Sequence, residues 1–186
     1  HSRAIFFKSG DVPWSKGEIL IQTDLAASLD LIAKQGVDAF YKGPIADQIA
    51  NEMEKNGGLI TKADLAAYKA VERQPVSGTY RGYEVYSMPA PSSGGIHIIQ
   101  ILNILESFDL KSMGQNSADA IHVMSEAMKF AYADRSEYLG DPDFVTVPVG
   151  ALTSKEYAKS LAAKIDMNKA RPSSEIRPGK LAPYES

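Results

Sequence analysis

Apolar residues in the first part of the chain recur at helical spacing. Leu25, Leu29 and Ile32 fall on one face of a predicted helix. Thr23 and Asp24 offer side-chain oxygens to the open amides of its first turn, and Gly36 stands where a left-handed residue closes a helix. A second helix is predicted from Pro44, whose fixed φ suits the first helical position. It runs through Ile45, Ile49 and Met53 to the break at Asn56-Gly57-Gly58. Thr61 is expected to cap a short turn containing Leu65. Ahead of these helices Ala4-Ile5-Phe6-Phe7 reads as strand-like. His1-Ser2-Arg3 leads into it with no starting methionine, so a segment upstream is expected.

The period changes at Val76. Val76 to Tyr80 and Tyr83-Glu84-Val85-Tyr86 are rich in aromatic and branched residues around Arg81-Gly82, which predicts a hairpin. After Pro91-Ser92-Ser93-Gly94-Gly95, apolar residues from Ile96 to Phe108 cover nearly every side of a helical wheel, so this helix must be buried all round. A fourth helix is expected from a Ser117 cap to about Tyr138. A fifth should start at Thr153, with Glu156 at capping-box spacing. From Asp166 to Ser186 prolines and weak apolar periodicity predict an extended tail or a segment ordered by a partner.

Composition narrows the function. A chain of 186 residues, 44% of them hydrophobic, can bury one sizeable core, so a single domain or a piece of one is the default. The 20 basic and 23 acidic residues are interspersed for a net charge of -3, which argues against nucleic acid as a partner. No run approaches the roughly 18 to 20 apolar residues that cross a bilayer, so no membrane partner is expected. With no cysteine, thiolate metal sites, disulfides and a cysteine nucleophile are excluded.

Three groups of residues could carry chemistry. Ser92 or Ser93 in the glycine-rich turn could be exposed as a nucleophile, but the turn is not the G-x-S-x-G elbow. A serine also needs a base, and only His97 and His122 are at hand. The alternative is a tight turn whose serine caps the following helix. Both histidines read as hydrogen-bonded helix residues, and no zinc-type spacing is present, so no metal is expected. Asp134-Arg135 and Asp141-Pro142-Asp143 lack the offsets of a calcium loop, and turn chemistry explains Asp141-Pro142.

Several strings, in this order, resemble the gamma-glutamyltranspeptidase family: Asp38-Ala39-Phe40-Tyr41-Lys42-Gly43, Gly57-Gly58-Leu59-Ile60-Thr61, Asp64-Leu65-Ala66-Ala67-Tyr68 and Tyr80-Arg81-Gly82-Tyr83. The series continues through Pro91-Ser92-Ser93-Gly94-Gly95, Ala133-Asp134-Arg135 and Leu139-Gly140-Asp141-Pro142-Asp143-Phe144 to Lys180-Leu181-Ala182-Pro183-Tyr184-Glu185-Ser186. The resemblance is to the second half of the large subunit. It implies an α+β fold: a helix-rich segment of the N-terminal-nucleophile hydrolase αββα sandwich. Residues 1–186 would form a single segment, with packed helices and a hairpin near 76–88 over 1–165, and an extended tail over 166–186 leading to a processing site.

The resemblance further implies a precursor that cuts itself into two subunits, the small one beginning with a nucleophilic threonine. Its reaction moves a gamma-glutamyl group from glutathione or a related amide to water, an amino acid or a peptide. The expected partners are thus the small subunit of the same precursor, glutathione and gamma-glutamyl acceptors. No cofactor is implied, and no catalytic or substrate-binding residue of this chain is assigned. Arg73, Arg81 and Arg135 do not match the family's carboxylate clamp. Tyr184, Glu185 and Ser186 would flank the processing site. Bacterial relatives suggest a periplasmic location. The rival readings are a cephalosporin-type acylase of the same fold, a non-catalytic helical binding module, and a hydrolase acting from Ser92 or Ser93.

Overall fold

The computed structural model describes residues 2–181, and its chain divides into two compact units, 1–71 and 72–186. Tyr184, Glu185 and Ser186 lie outside the described residues. The class is helix-rich α+β.

The first unit holds α1 (Ser2–Phe6), α2 (Thr23–Gln35), α3 (Asp38–Tyr41), α4 (Pro44–Lys55) and α5 (Lys62–Ala67). The predicted strand at Ala4–Phe7 is instead helical through Phe6, the end of α1. A helical turn satisfies the backbone within itself, Phe7 N donating to Arg3 O, and the isolated bridge that follows pairs Lys8 with Val12. The helix α2 stops as expected, with Gly36 at φ +72° after its last turn. Its first turn, however, begins at Thr23 and carries no side-chain cap. The cap at Thr61 is complete: Asp64 N donates to Thr61 Oγ1 at 3.2 Å, and Thr61 N donates to the Asp64 carboxylate at 2.8 Å. The Thr61 hydroxyl, donating to the same carboxylate at 2.6 Å, and then the Thr61 N–H hold the Asp64 carboxyl below its ordinary value. Tyr41 and Tyr68 stack at 5.4 Å, tying α3 to the end of α5.

The second unit holds β1 (Val76–Tyr80), β2 (Tyr83–Ser87), α6 (Ser93–Leu105), α7 (Leu110–Met113), α8 (Ala118–Tyr138), α9 (Val149–Leu152) and α10 (Lys155–Ala162). The antiparallel hairpin pairs Val76 with Ser87 and Tyr80 with Tyr83. Arg81 (φ 49°) and Gly82 (φ 86°) form its two-residue turn, both in the left-handed region that such a tight connection demands.

Helix α6 lies at the centre. Ile104 and Leu105 join Val123, Ala127 and Phe130 of α8, Ala158 and Leu161 of α10, and Ile176 in one apolar cluster. Ile96 and Ile99 join Val76, Ala90 and Leu152 in another. The approach to the hairpin is close, since a Cβ on Gly95 would overlap the Met88 carbonyl and the Val76 side chain. Two apolar clusters on two sides account for the apolar wheel of this helix. Burial is nevertheless not all round: Ile98 remains 48% exposed.

The last helix begins one residue later than its sequence predicts. Ser154, not Thr153, has the extended backbone of a cap and accepts from Tyr157 N, while the Thr153 hydroxyl donates to Val149 O and closes α9. Glu156 thereby falls at the second helical position and loses capping-box spacing. Beyond Asp166 the only described regular element is a 3-10 turn at Ser173–Glu175.

Candidate functional site

Within the second unit the polar groups of α6, α8 and α10 converge on one buried carboxylate. Asp134 of α8 is 1% exposed, and Gln100 of α6 is fully buried beside it. Gln100 Nε2 donates to Asp134 Oδ2 at 2.5 Å, and the Tyr157 hydroxyl of α10 donates to the same oxygen at 2.7 Å. The backbone N–H of Gly179 donates to Asp134 Oδ1 at 2.8 Å. One turn further along α8, the Tyr138 hydroxyl donates to Gly179 O at 2.6 Å. Burial, and the hydrogen bond to Asp134, push the Tyr157 phenol well above its ordinary range, so it remains a proton donor.

The network extends along α6. His97 Nδ1 lies 3.0 Å from Gln100 Oε1, and burial lowers the affinity of this imidazole for a proton. Gln100 therefore bridges the histidine and the aspartate, its oxygen toward one and its nitrogen toward the other. Three residues along, Asn103 Nδ2 donates to Thr153 O at 2.7 Å and fixes the α9–α10 corner. A separate knot fastens residue 171: Arg171 N donates to Glu126 Oε1, and Lys129 donates both to that carboxylate and to Arg171 O.

The residues proposed for nucleophilic chemistry do not assemble. Ser92 Oγ accepts from Gly94 N at 3.3 Å, the capping role, and Ser93 opens α6. His97 is engaged with Gln100, and His122 Nε2 lies 2.8 Å from Asp166 O on another helix. No described hydrogen bond joins either serine to an imidazole. Among the described residues no group of three His, Asp or Glu side chains could hold a metal ion. Asp141 acts as a turn residue, its side chain accepting from Asp143 N and its carbonyl from Phe144 N and Val145 N.

Two of the three arginines are committed within the chain. Arg73 pairs with Asp143 at 2.8 Å beside an open cleft of about 710 Å³ bordered by Pro89, Ala90 and Phe144. Arg81 donates to Phe108 O, and its backbone N–H donates to Glu106. Arg135 is exposed on α8. No helix among the described residues is long and apolar enough to cross a membrane.

Sequence reading identified Asp134 as an acid in a helix but not its three donors. One of them left a trace, because Gln100 is a polar residue inside the apolar run of α6. Tyr157 and Gly179 left none, being 23 and 45 residues away from the carboxylate they meet.

A family model described as gamma-glutamyltranspeptidase matches residues 1–185. The chain is 72% identical, over its full length, to the glutathione hydrolase proenzyme of Escherichia coli (strain K12). It is 49% identical over 162 residues, 87% of its length, to the acylase ACY 1 proenzyme of Pseudomonas sp. (strain SE83). The crystal structure of Helicobacter pylori gamma-glutamyltranspeptidase superposes on the whole chain with a TM-score of 0.84 at 47% identity, and 54% of that chain is covered. The chain spans about a third of the length of the curated relatives it matches, 32% of the Escherichia coli proenzyme and 29% of the acylase.

Proposed function

Because the chain belongs to the gamma-glutamyltranspeptidase family, as a helix-rich α+β segment of its N-terminal-nucleophile hydrolase fold, we propose that it forms part of an enzyme acting on glutathione and related gamma-glutamyl amides. The observation that carries this reading is the unbroken match: one family model over 1–185 and 72% identity to a glutathione hydrolase proenzyme with no part of the chain left over.

In the proposed reaction a hydroxyl attacks the gamma-carbonyl of the substrate. The amide nitrogen leaves with a proton, and a gamma-glutamyl ester remains on the enzyme. Water or the amine of an acceptor then breaks that ester and restores the hydroxyl. Among the described residues no hydrogen bond joins Ser92 or Ser93 to an imidazole, and the nucleophile is assigned to the remaining part of the precursor, as the threonine that opens a small subunit. This chain then supplies structure: the packed helices of the second unit, and the segment leading to Tyr184, Glu185 and Ser186, after which the precursor is cut. The mature protein is accordingly a heterodimer of two pieces of one precursor, made by self-processing and placed in the periplasm.

The acylase relative supports a second reading, an enzyme of the same plan with a different acyl pocket. Its identity is lower and its match shorter than that of the hydrolase. Full-length protein offered a gamma-glutamyl amide and a glutaryl amide side by side decides between them: release of amine from the gamma-glutamyl amide is expected, and cleavage of the glutaryl amide alone would replace the first reading by the second. Fractionation of expressing cells tests the location, with recovery in the cytoplasmic fraction the contrary result.

A further inference from the structure

Helix α8 grips one residue of the tail by both its backbone polar groups. Asp134 accepts the Gly179 N–H at 2.8 Å, and Tyr138, four residues on, donates to the Gly179 carbonyl at 2.6 Å. A Cβ on Gly179 would overlap the Tyr157 hydroxyl and force that ring to move. That hydroxyl is itself bound to Asp134. Direction, register and residue type are thus all specified at this one position.

The grip is built from expensive groups. Burying a carboxylate is unfavourable unless its oxygens are satisfied, and no cation within the described residues forms an ion pair with Asp134. Neutral donors from α6, α10 and residue 179 supply the compensation. An apolar residue would fill the same helix position without that cost, so what the carboxylate adds is a fixed location for the Gly179 amide. Ile176 is buried in the main apolar cluster just before it, and Leu181 packs on the other cluster just after. The chain is therefore held on both sides of residue 179, five residues before Tyr184.

We propose that Asp134, with Tyr138, is a positioning device for the cut of the precursor: by holding both polar groups of Gly179 it sets where the following segment enters the processing site. This rests on the proposed self-processing. The cut adds one water across a peptide bond, leaving a carboxyl on the segment that follows Gly179 and an amine on the next piece. Asp134 touches neither group and acts through the Gly179 amide. An Asp134→Asn change replaces one acceptor oxygen by an N–H donor in a site where all three neighbours donate.

The test uses full-length protein carrying Asp134→Asn or Tyr138→Phe beside the unsubstituted protein. Loss of precursor is followed over time, well below the melting temperature of each, with the masses of the products and the turnover of the processed enzyme. Asp134→Asn is expected to slow the cut by about tenfold or more, the scale of a lost charge-assisted hydrogen bond, and Tyr138→Phe by a smaller factor. Turnover per processed molecule should stay close to that of the unsubstituted protein. If either folded variant is cut at the unsubstituted rate and bond while only its melting temperature falls, the network is structural and the proposal is overturned. Should Asp134→Asn fail to fold, Tyr138→Phe alone carries the test. Unsubstituted protein that is never cut overturns the processing reading itself, a result separate from cutting that is indifferent to the variants.

Discussion

Leu29 on α2 and Leu161 on α10 are the same residue type on amphipathic helices of the same chain, yet Leu29 is 57% exposed and Leu161 is 1% exposed. The difference holds for their whole units. In the first unit the buried apolar residues are Ala39 and Ala46, while Leu25, Val37 and Leu59 stand in the open. In the second, α6 is covered on two sides by apolar clusters and is crossed by a polar network with Asp134 at its centre. Secondary structure can thus be fully formed where a core is not: the first unit is drawn by capping, helical periodicity and an aromatic stack, the second by burial.

The largest expected effect sharpens this contrast. Leu161→Ala should lower unfolding free energy by about 2–5 kcal/mol through lost burial and a cavity, whereas Leu29→Ala should stay within about 0.5 kcal/mol in the 186-residue chain. Denaturant titration of both variants measures it. In full-length protein a markedly larger cost for Leu29→Ala would show that further chain covers α2.

Hydrogen exchange probes the same contrast without substitution. Amides of α6 and α8 should exchange only through opening of the second unit's core, and those of α2 and α5 by local opening, orders of magnitude faster. Comparable protection in the two units would break the comparison.

Caps give a smaller effect. Ser117 Oγ accepts from Ala120 N at the start of α8, and Ser117→Ala should cost about 1 kcal/mol in a cooperative transition of the second unit. Thr61→Ala should instead loosen α5 locally, detected as faster exchange there with little change in the main transition.

The smallest is a pH effect at His97. Burial depresses the folded-state pKa of this imidazole below its ordinary value near 6.5. The unfolded chain therefore binds the proton more readily. Stability is unaffected well above that pH and falls as pH drops through about 6.5 toward the lower folded value. His97→Gln should remove that part of the slope, measured as melting temperature against pH.

Much of this was legible from local pattern. The helices α2, α4 and α8, the hairpin at Arg81-Gly82 and the Thr61 cap each follow from residues within a few positions of one another. So does the cap role of Ser92. The failures share a cause. Ala4–Phe7 has strand composition but pairs with no strand among the described residues, and Thr153 lost its cap role because the preceding helix claimed its hydroxyl. The grip on Gly179 joins residues up to 45 positions apart, and no local spacing encodes it.

The most direct measurement is the intact mass, under denaturing conditions, of every polypeptide in a preparation of full-length protein, taken with its activity on a gamma-glutamyl amide. The expected result is two chains from one precursor, the smaller beginning with threonine, and amine released in proportion to the amount cut. A single uncut chain that releases none would contradict the assignment of this segment to a processed gamma-glutamyl enzyme.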